Sequence, residues 1–409
     1  MENHGYRGAR AAVGFVLLLC FGLIYAWSLF VEPLETEFGW DRSQTSFVFT
    51  LSIITFCFGM LIAGFAEGRL SIRAGMVVTA VAIAFGFIAA SFMSDLLFIG
   101  TSYGVVVGLA IGFGTNWVMD TVLKWFPDKQ GFASGALVMG FGLGTMVLSP
   151  FVTMMLGSLG WRTTFLILGM GIGALVLFAS IVIVKPPAEF ADRMLQEAHE
   201  KNTVAARDYT GGEMIRTSAF WKYFCWCTLI ASGGLALISQ AVPAAQEVLT
   251  ANQVPAEQAL MTATVAMGSI SGFNGLGRLL NGFLWDRIGF KLSLIWISCA
   301  FVVGILLCSF AMQGSSFPLI VVGFIVLGLM YGSAMATMPA MMGTFFGQKH
   351  FAMNYAIITF QMIPAAVIGP SLLAAVQTSS GSYVQAFWSF LLLAAIAIVM
   401  ALLVRKPAD

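Results

Sequence analysis

Charge is what this chain has little of. Of its 409 residues only 10% are Asp, Glu, Lys or Arg, against 59% that are hydrophobic, and that ratio leaves too little polar surface to cover a water-soluble fold. Histidine is scarcer still. His4, His199 and His350 are the whole complement, and all three fall in polar connecting segments, so a buried imidazole relay lacks its residues. Six cysteines lie within apolar runs; Cys225 and Cys227 point about 200° apart on a helix, which argues against a metal or disulfide pair and for small apolar filler. No Gly-Lys-Ser or Gly-Lys-Thr phosphate loop occurs, so ATP drive finds no support. No metal, cofactor, enzymatic activity or nucleic-acid partner is expected, the formal net charge being only +1.

What is present is apolar sequence in long runs, with a mean hydropathy of +0.91. About twelve runs are long enough to cross a hydrocarbon core of about 30 Å as helices, and short alternating strands of a barrel are not seen. The spans read as 11–31, 45–66, 73–93, 97–123, 131–156 and 163–184, then 219–242, 259–285, 290–311, 317–344, 350–377 and 383–404. Arg7, Arg10, Arg69, Arg73, Lys124, Lys129, Arg287, Lys291, Lys349, Arg405 and Lys406 fall on one side of this topology, and only Arg42 and Arg162 on the other. The cationic side is expected to be cytoplasmic, with both termini on it, in a multi-pass protein of the cell inner (plasma) membrane. The first run begins about ten residues in and lacks a small-residue cleavage site, so it reads as a retained helix.

Pro186, Pro187 and a charged run from Glu189 to Lys201 interrupt the apolar pattern. They divide the chain into a six-span half (1–185), a linker (186–218) carrying a short surface helix, and a second half (219–409). The halves repeat. Trp125 to Ala133 after span 4 corresponds to Phe345 to Ala352 after span 10, Pro150 to Pro370, and Gly64 to Arg73 to Gly282 to Lys291, all at nearly one offset. Such a duplication builds transporters that hold substrate near the midplane. Glycines 131, 135, 140, 142 and 144 clear one face of span 5 for a close neighbour.

Arg278 lies in an apolar stretch from about 260 to 285. An arginine does not shed its proton, and a charge at membrane depth costs at least about 2.5–3.5 kcal/mol on insertion scales. A fixed guanidinium there points to an anion, since its planar fork matches the two oxygens of a carboxylate. Tyr25 and Trp27 in span 1, Asn116 and Trp117 in span 4, Tyr331 in span 10 and Gln361 in span 11 are amphipathic or polar groups at depths where a cavity could lie, with packing as the alternative. Asp120 stands one turn before Lys124, and pairing with Lys124 or Arg69 in a gate is its expected role.

Gly282, Asp286, Arg287, Gly289 and Lys291 resemble the loop signature of the major facilitator superfamily. That resemblance implies a twelve-helix, all-α membrane fold of two pseudo-symmetric six-helix halves, whose loop acid and base cap neighbouring helix ends and latch a gate. The copy after span 2 keeps Gly64, Arg69 and Arg73 but has Gly68 and Ser71 where the family has Asp and Gly, leaving Glu67 as the candidate substitute. Further segments resemble the oxalate/formate antiporter family, which is related to the monocarboxylate transporters. They are Tyr25-Ala26-Trp27-Ser28 leading to Pro33 and Phe38-Gly39-Trp40, Lys124 to Gly131, Gly140 to Pro150, Gly160-Trp161-Arg162, Glu213 to Trp221, and Gly275 to Arg278.

The resemblance implies that Arg278 binds substrate. It also implies a second cation in span 11, a lysine a few residues after a tyrosine; here Met362 stands at or beside that position, with Gln361 next to it. One cation balances one carboxylate, so the expected substrate is a small monocarboxylate such as formate, lactate or pyruvate, carried by alternating access and exchanged for another anion by a monomer in the lipid bilayer. Proton symport and export of drug-like hydrophobic compounds are the alternatives. The second would call for an acid at cavity depth, where the deep charge is Arg278.

Overall fold

The computed structural model describes residues 2–200 and 207–407; the side chains of His4, Arg42 and His199 lie outside the described set. Among the described residues every regular element is helical. In chain order these are α1 (Glu2–Phe21), α2 (Ser28–Phe38), α3 (Arg42–Ala66), α4 (Ile72–Ser91), α5 (Leu96–Ile99), α6 (Gly108–Leu123), α7 (Gln130–Val182), α8 (Ala188–Glu200), α9 (Gly211–Met214), α10 (Ser218–Ala251), α11 (Ala256–Gln313), α12 (Phe317–Phe346), α13 (Phe351–Thr359), α14 (Met362–Ser380) and α15 (Tyr383–Leu403). A 3₁₀ turn (Gly22–Trp27) joins α1 to α2, and a π-helical stretch (Gly100–Val107) joins α5 to α6.

Among the described residues, ten helices are long and apolar enough to cross a membrane. Two of them are too long to be single crossings: α7 and α11 run for 53 and 58 residues, or about 80 Å and more if straight, against a core of about 30 Å. Each is broken at one glycine in the left-handed region, Gly160 (φ 73°) and Gly289 (φ 76°), a conformation a side chain would strain. Packing requires the second break to reverse the chain. Gly277 presses on Leu329 of α12 and Gly304 on Leu327, so positions 27 residues apart, about 40 Å along a straight helix, meet positions two residues apart. With each long helix counted as two, the described chain has twelve crossing-length segments.

Span 11 was expected to be one helix and is two. The turn at Phe360 and Gln361 separates α13 from α14, and the cause is Pro364, which has no N–H to return to the carbonyl of Phe360; Ile363 N–H takes that carbonyl at 3.1 Å in a tighter turn.

By packing, the chain resolves into two compact units, residues 1–211 with 342–359, and residues 212–341 with 360–409. Residues 186–200 and 207–211 and the turn before α13 therefore group with the first unit. In the first unit, α3 and α6 approach until a side-chain carbon at Gly59 would stand 2.1 Å from the Leu109 carbonyl oxygen, the close backbone contact that small residues permit in membranes. The charged run forms α8, whose apolar side sets Phe190 and Met194 on Trp125, with Phe126 beside them. Arg7 bonds Asp128 and lies 4.5 Å over Phe126, and Arg10 lies 4.0 Å over Trp125. In the second unit, α10 ties to its neighbours through Trp226 Nε1, which donates to Ser298 at 2.8 Å, and through the 2.7 Å bond between the Tyr223 and Thr337 hydroxyls. None of the six cysteines is in a disulfide.

Candidate functional site

Arg278 is buried, with 6% of its surface exposed. Its Nε donates to Oδ1 of Asn274, one turn earlier on α11, at 2.9 Å, so the helix orients the guanidinium internally rather than letting it reach for an interface. The same helix face seats against α12. Ser333 Oγ donates to the Gly277 carbonyl at 3.0 Å, and Gly332 meets the Asn274 carbonyl so closely that a side-chain carbon would stand 1.9 Å from it. Tyr331, buried beside these positions, lays its ring on Gly234 of α10. Two turns further along α12, Met338 Sδ accepts from Nε2 of the fully buried Gln361 at 3.5 Å, while Gln361 Oε1 has no partner. Asn281, also buried and three residues after Arg278, has no hydrogen-bond partner for either amide atom. In the second unit α12 thus carries Tyr331 and the Met338 partner of Gln361 and packs on α11 at Asn274 and Gly277, next to Arg278; Asn274 and Asn281 are buried polar neighbours on α11 that sequence reasoning missed. The available signal was spacing, since 274, 278 and 281 recur at helical intervals.

The first unit holds the other substrate candidates, and most have their polar atoms engaged. Trp27 Nε1 donates to the Thr45 carbonyl at 2.9 Å and its ring lies 4.7 Å from Tyr103. Trp117 Nε1 donates to the Ile72 carbonyl at 3.1 Å, with its ring against Gly75 and stacked on Phe113. Asn116 Nδ2 bridges the carbonyls of Met60 and Ala352 at 2.8 and 2.7 Å, leaving Oδ1 without a partner. Tyr25 is half-buried between Phe49 and Phe141.

The gate candidates separate into a buried set and an exposed set. Asp120, 4% exposed, pairs with Lys124 Nζ at 2.7 Å, and the same ammonium holds Glu67 at 2.9 Å. Burial, reinforced by the neighbouring Asp120, raises the Glu67 pKa although Lys124 opposes it. Burial works against the charge on Lys124, but Asp120 and Glu67 outweigh it and raise its pKa. Arg69 and Arg73 are exposed, as are Asp286 and Arg287, the latter 4.1 Å over Phe283. Lys291 Nζ bonds the carbonyls of Ala401, Leu402 and Val404, at 3.0 Å to Ala401 and 2.9 Å to Val404. It thereby caps the C-terminus of α15, where unpaired carbonyls and the helix dipole favour a cation.

The family model described as Major Facilitator Superfamily matches residues 12–280 and 255–409. The chain belongs to the Major Facilitator Superfamily. Members of this superfamily are transporters, not enzymes, and the chain is a multi-pass membrane transporter of that fold. It is 26% identical over 373 residues to the oxalate:formate antiporter of Oxalobacter formigenes, covering 90% of this chain and 84% of that protein. An uncharacterized MFS-type transporter of Escherichia coli (strain K12), YhjX, is 26% identical over 342 residues, covering 82% and 80%. Monocarboxylate transporter 12 of Rattus norvegicus is 25% identical over 384 residues, covering 88% and 77%. Among solved structures, the proton:xylose symporter XylE bound to 6-bromo-6-deoxy-D-glucose superposes with a TM-score of 0.70 at 15% identity, over 99% of this chain and 97% of that one. FucP in the outward conformation gives the same TM-score at 14% identity, over 97% and 99%. Those two likenesses establish the fold alone.

Proposed function

We propose that this superfamily member carries a small organic monocarboxylate, of the size of formate, lactate or pyruvate, by alternating access, and that it exchanges one such anion for another. The observation that carries the reading is the buried Arg278, held in orientation by Asn274 within an apolar helix. A guanidinium out of water and fixed in direction binds a carboxylate more strongly than a solvated one does. The relatives named above as an oxalate:formate antiporter and a monocarboxylate transporter support the substrate class. A monoanion is favoured because α13 and α14 contain no Lys or Arg. Tyr331 and Gln361 are the second unit's further candidates for substrate contact, and Tyr25, Trp27, Asn116 and Trp117 are the first unit's candidates. Asp286, Arg287, Lys291, Arg69, Arg73 and Asp120 serve the gate, at a cationic side that faces the cytoplasm of a plasma-membrane protein.

The test is counterflow in proteoliposomes preloaded with formate, lactate, pyruvate or oxalate. Wild-type protein should take up labelled monocarboxylate against the preloaded one, and Arg278→Gln should abolish it. Unchanged counterflow in Arg278→Gln for every acid sinks the proposal; exchange of oxalate alone sinks the monoanion assignment.

A further inference from the structure

A second site is visible in the first unit, apart from Arg278. A cavity of about 840 Å³ opens where the cationic ends of that unit's helices gather, within the range of about 300–1,000 Å³ usual for small-molecule sites. Four cations come to its wall from four separate stretches of chain: Arg69 from the turn after α3, Lys124 from the end of α6, Lys185 from the segment after α7, and Lys349 from the turn before α13. His350 borders it as well. Two carboxylates share the wall, and both have partners. Glu67 holds Lys124, and Asp208 Oδ1 accepts the backbone N–H of Lys349 at 3.1 Å. Asp120 sits behind Lys124, outside the wall, and offsets part of the excess. The balance remains positive, four cations against Glu67, Asp208 and Asp120, and favours an anion in the cavity.

An independent observation concerns Gln348, whose Nε2 is buried on this cavity with no hydrogen-bond partner. Buried amide donors are nearly always paired, so one left over beside a cationic wall lacks an acceptor that a bound anion's oxygen would supply. The donor set also selects the shape of that acceptor. The Lys185 and Lys349 ammonium groups, arriving from separate directions with the Arg69 guanidinium and an amide N–H among them, suit an oxyanion whose several oxygens spread in space, as those of a phosphate do. The cavity is larger than a bare phosphate requires, and Phe65, Pro186 and Met353 supply apolar wall for an organic remainder.

We propose that this cavity binds an organic phosphate, with Arg69, Lys185, Lys349 and Gln348 as its donors. The group reaches the site either as a soluble phosphate monoester or as a phospholipid headgroup, since Phe65 is 58% exposed beside it.

Thermal unfolding of the purified full chain separates these sources, because a ligand of the folded state raises Tm saturably. In detergent the probes are glycerol 3-phosphate, inorganic phosphate and succinate at equal ionic strength; in phosphatidylcholine nanodiscs, phosphatidic acid is added or omitted. A saturable rise with glycerol 3-phosphate supports a soluble monoester, and a rise confined to phosphatidic acid supports a headgroup. The double variant Lys185→Gln/Lys349→Gln should weaken binding by about tenfold or more, Gln348→Leu should weaken it with every charge in place, and Lys185→Arg/Lys349→Arg should retain it. No rise from either phosphate source, an equal rise with succinate, or undiminished binding in the Lys→Gln protein overturns the proposal.

Discussion

Replacing Lys124 by Met tests the buried ion cluster of the first unit most directly. Lys124 Nζ stands 2.7 Å from Asp120 and 2.9 Å from Glu67, and the side chains are 19%, 6% and 17% exposed, respectively. Removing the shared cation leaves two carboxylates facing each other with little solvent, and loss of one partner of a buried pair costs about 3–5 kcal/mol. The Arg162–Glu37 pair, exposed at 46% and 44%, sets the scale by contrast, since such pairs contribute about 0.2–1 kcal/mol. The loss depends on pH. Glu67 already has a raised pKa in the folded protein, so its contribution is fully present below the ordinary carboxylate value and declines as pH rises through the folded value. Without Lys124 that folded value moves higher, which carries the decline toward neutral pH. Lys124→Met should therefore be most destabilising at alkaline pH and recover as the pH falls and Glu67 takes up a proton. Adding Glu67→Gln should flatten the dependence. The assay is the unfolding midpoint by tryptophan fluorescence across that range. A cost under about 1 kcal/mol at the alkaline end, or one that does not vary with pH, refutes the reasoning.

Three further outcomes follow from single contacts. Asn274→Ala, which removes the 2.9 Å bond to Arg278 Nε, should lower counterflow kcat/KM about tenfold or more while the protein stays folded, as expected for a lost bond to a charged group worth about 1.5–3 kcal/mol. Gly332→Ala would place a carbon 1.9 Å from a backbone oxygen and should destabilise by at least the 1–3 kcal/mol typical of overpacking, roughly, whereas Gly157→Ala, with open space around it, should be neutral or stabilising in the same melt. Lys291→Met should destabilise by about 0.5–2 kcal/mol by uncapping α15, read as a lower unfolding midpoint, with partial recovery in Lys291→Arg.

The crossings were legible because each is a long apolar run, and Arg278 because a fixed charge in such a run has few explanations. What escaped was set by partners distant in the chain. Asn116 and Trp117 read as polar groups at cavity depth, and nothing local says that the Asn116 amide hydrogens go to the carbonyls of Met60 and Ala352. Lys291 read as part of a loop signature, but its acceptors lie 110 residues on, at the end of α15. The break at Gln361 was readable from Pro364 and was hidden by the length of the apolar run around it. Asn274 carried a local signal, its i, i+4 relation to Arg278, which an asparagine amid apolar residues does not advertise until the bond is seen.

One trace of the duplication lies at the opposite helix ends, in a pattern the aligned loops did not include. Pro33 and Glu37 near the end of α2 have the same spacing as Pro243 and Glu247 near the end of α10. In the first unit, Glu37 accepts from Trp161 Nε1 at 2.5 Å and from Arg162 at 3.2 Å, the two residues that follow the break at Gly160. In the second, Glu247 accepts from the Ser382 hydroxyl and from the Tyr383 N–H, which follow the left-handed Gly381. Each unit thus uses a carboxylate on its first crossing to hold the N-terminus of its last, where free N–H groups and the helix dipole favour negative charge. The two anchors reach that end with different donors, an indole and a guanidinium in one case, a hydroxyl and a backbone amide in the other. Shared placement with divergent chemistry is what a duplicated segment leaves once its copies have drifted, and it supports the two-half reading independently of the loop signature that first suggested it.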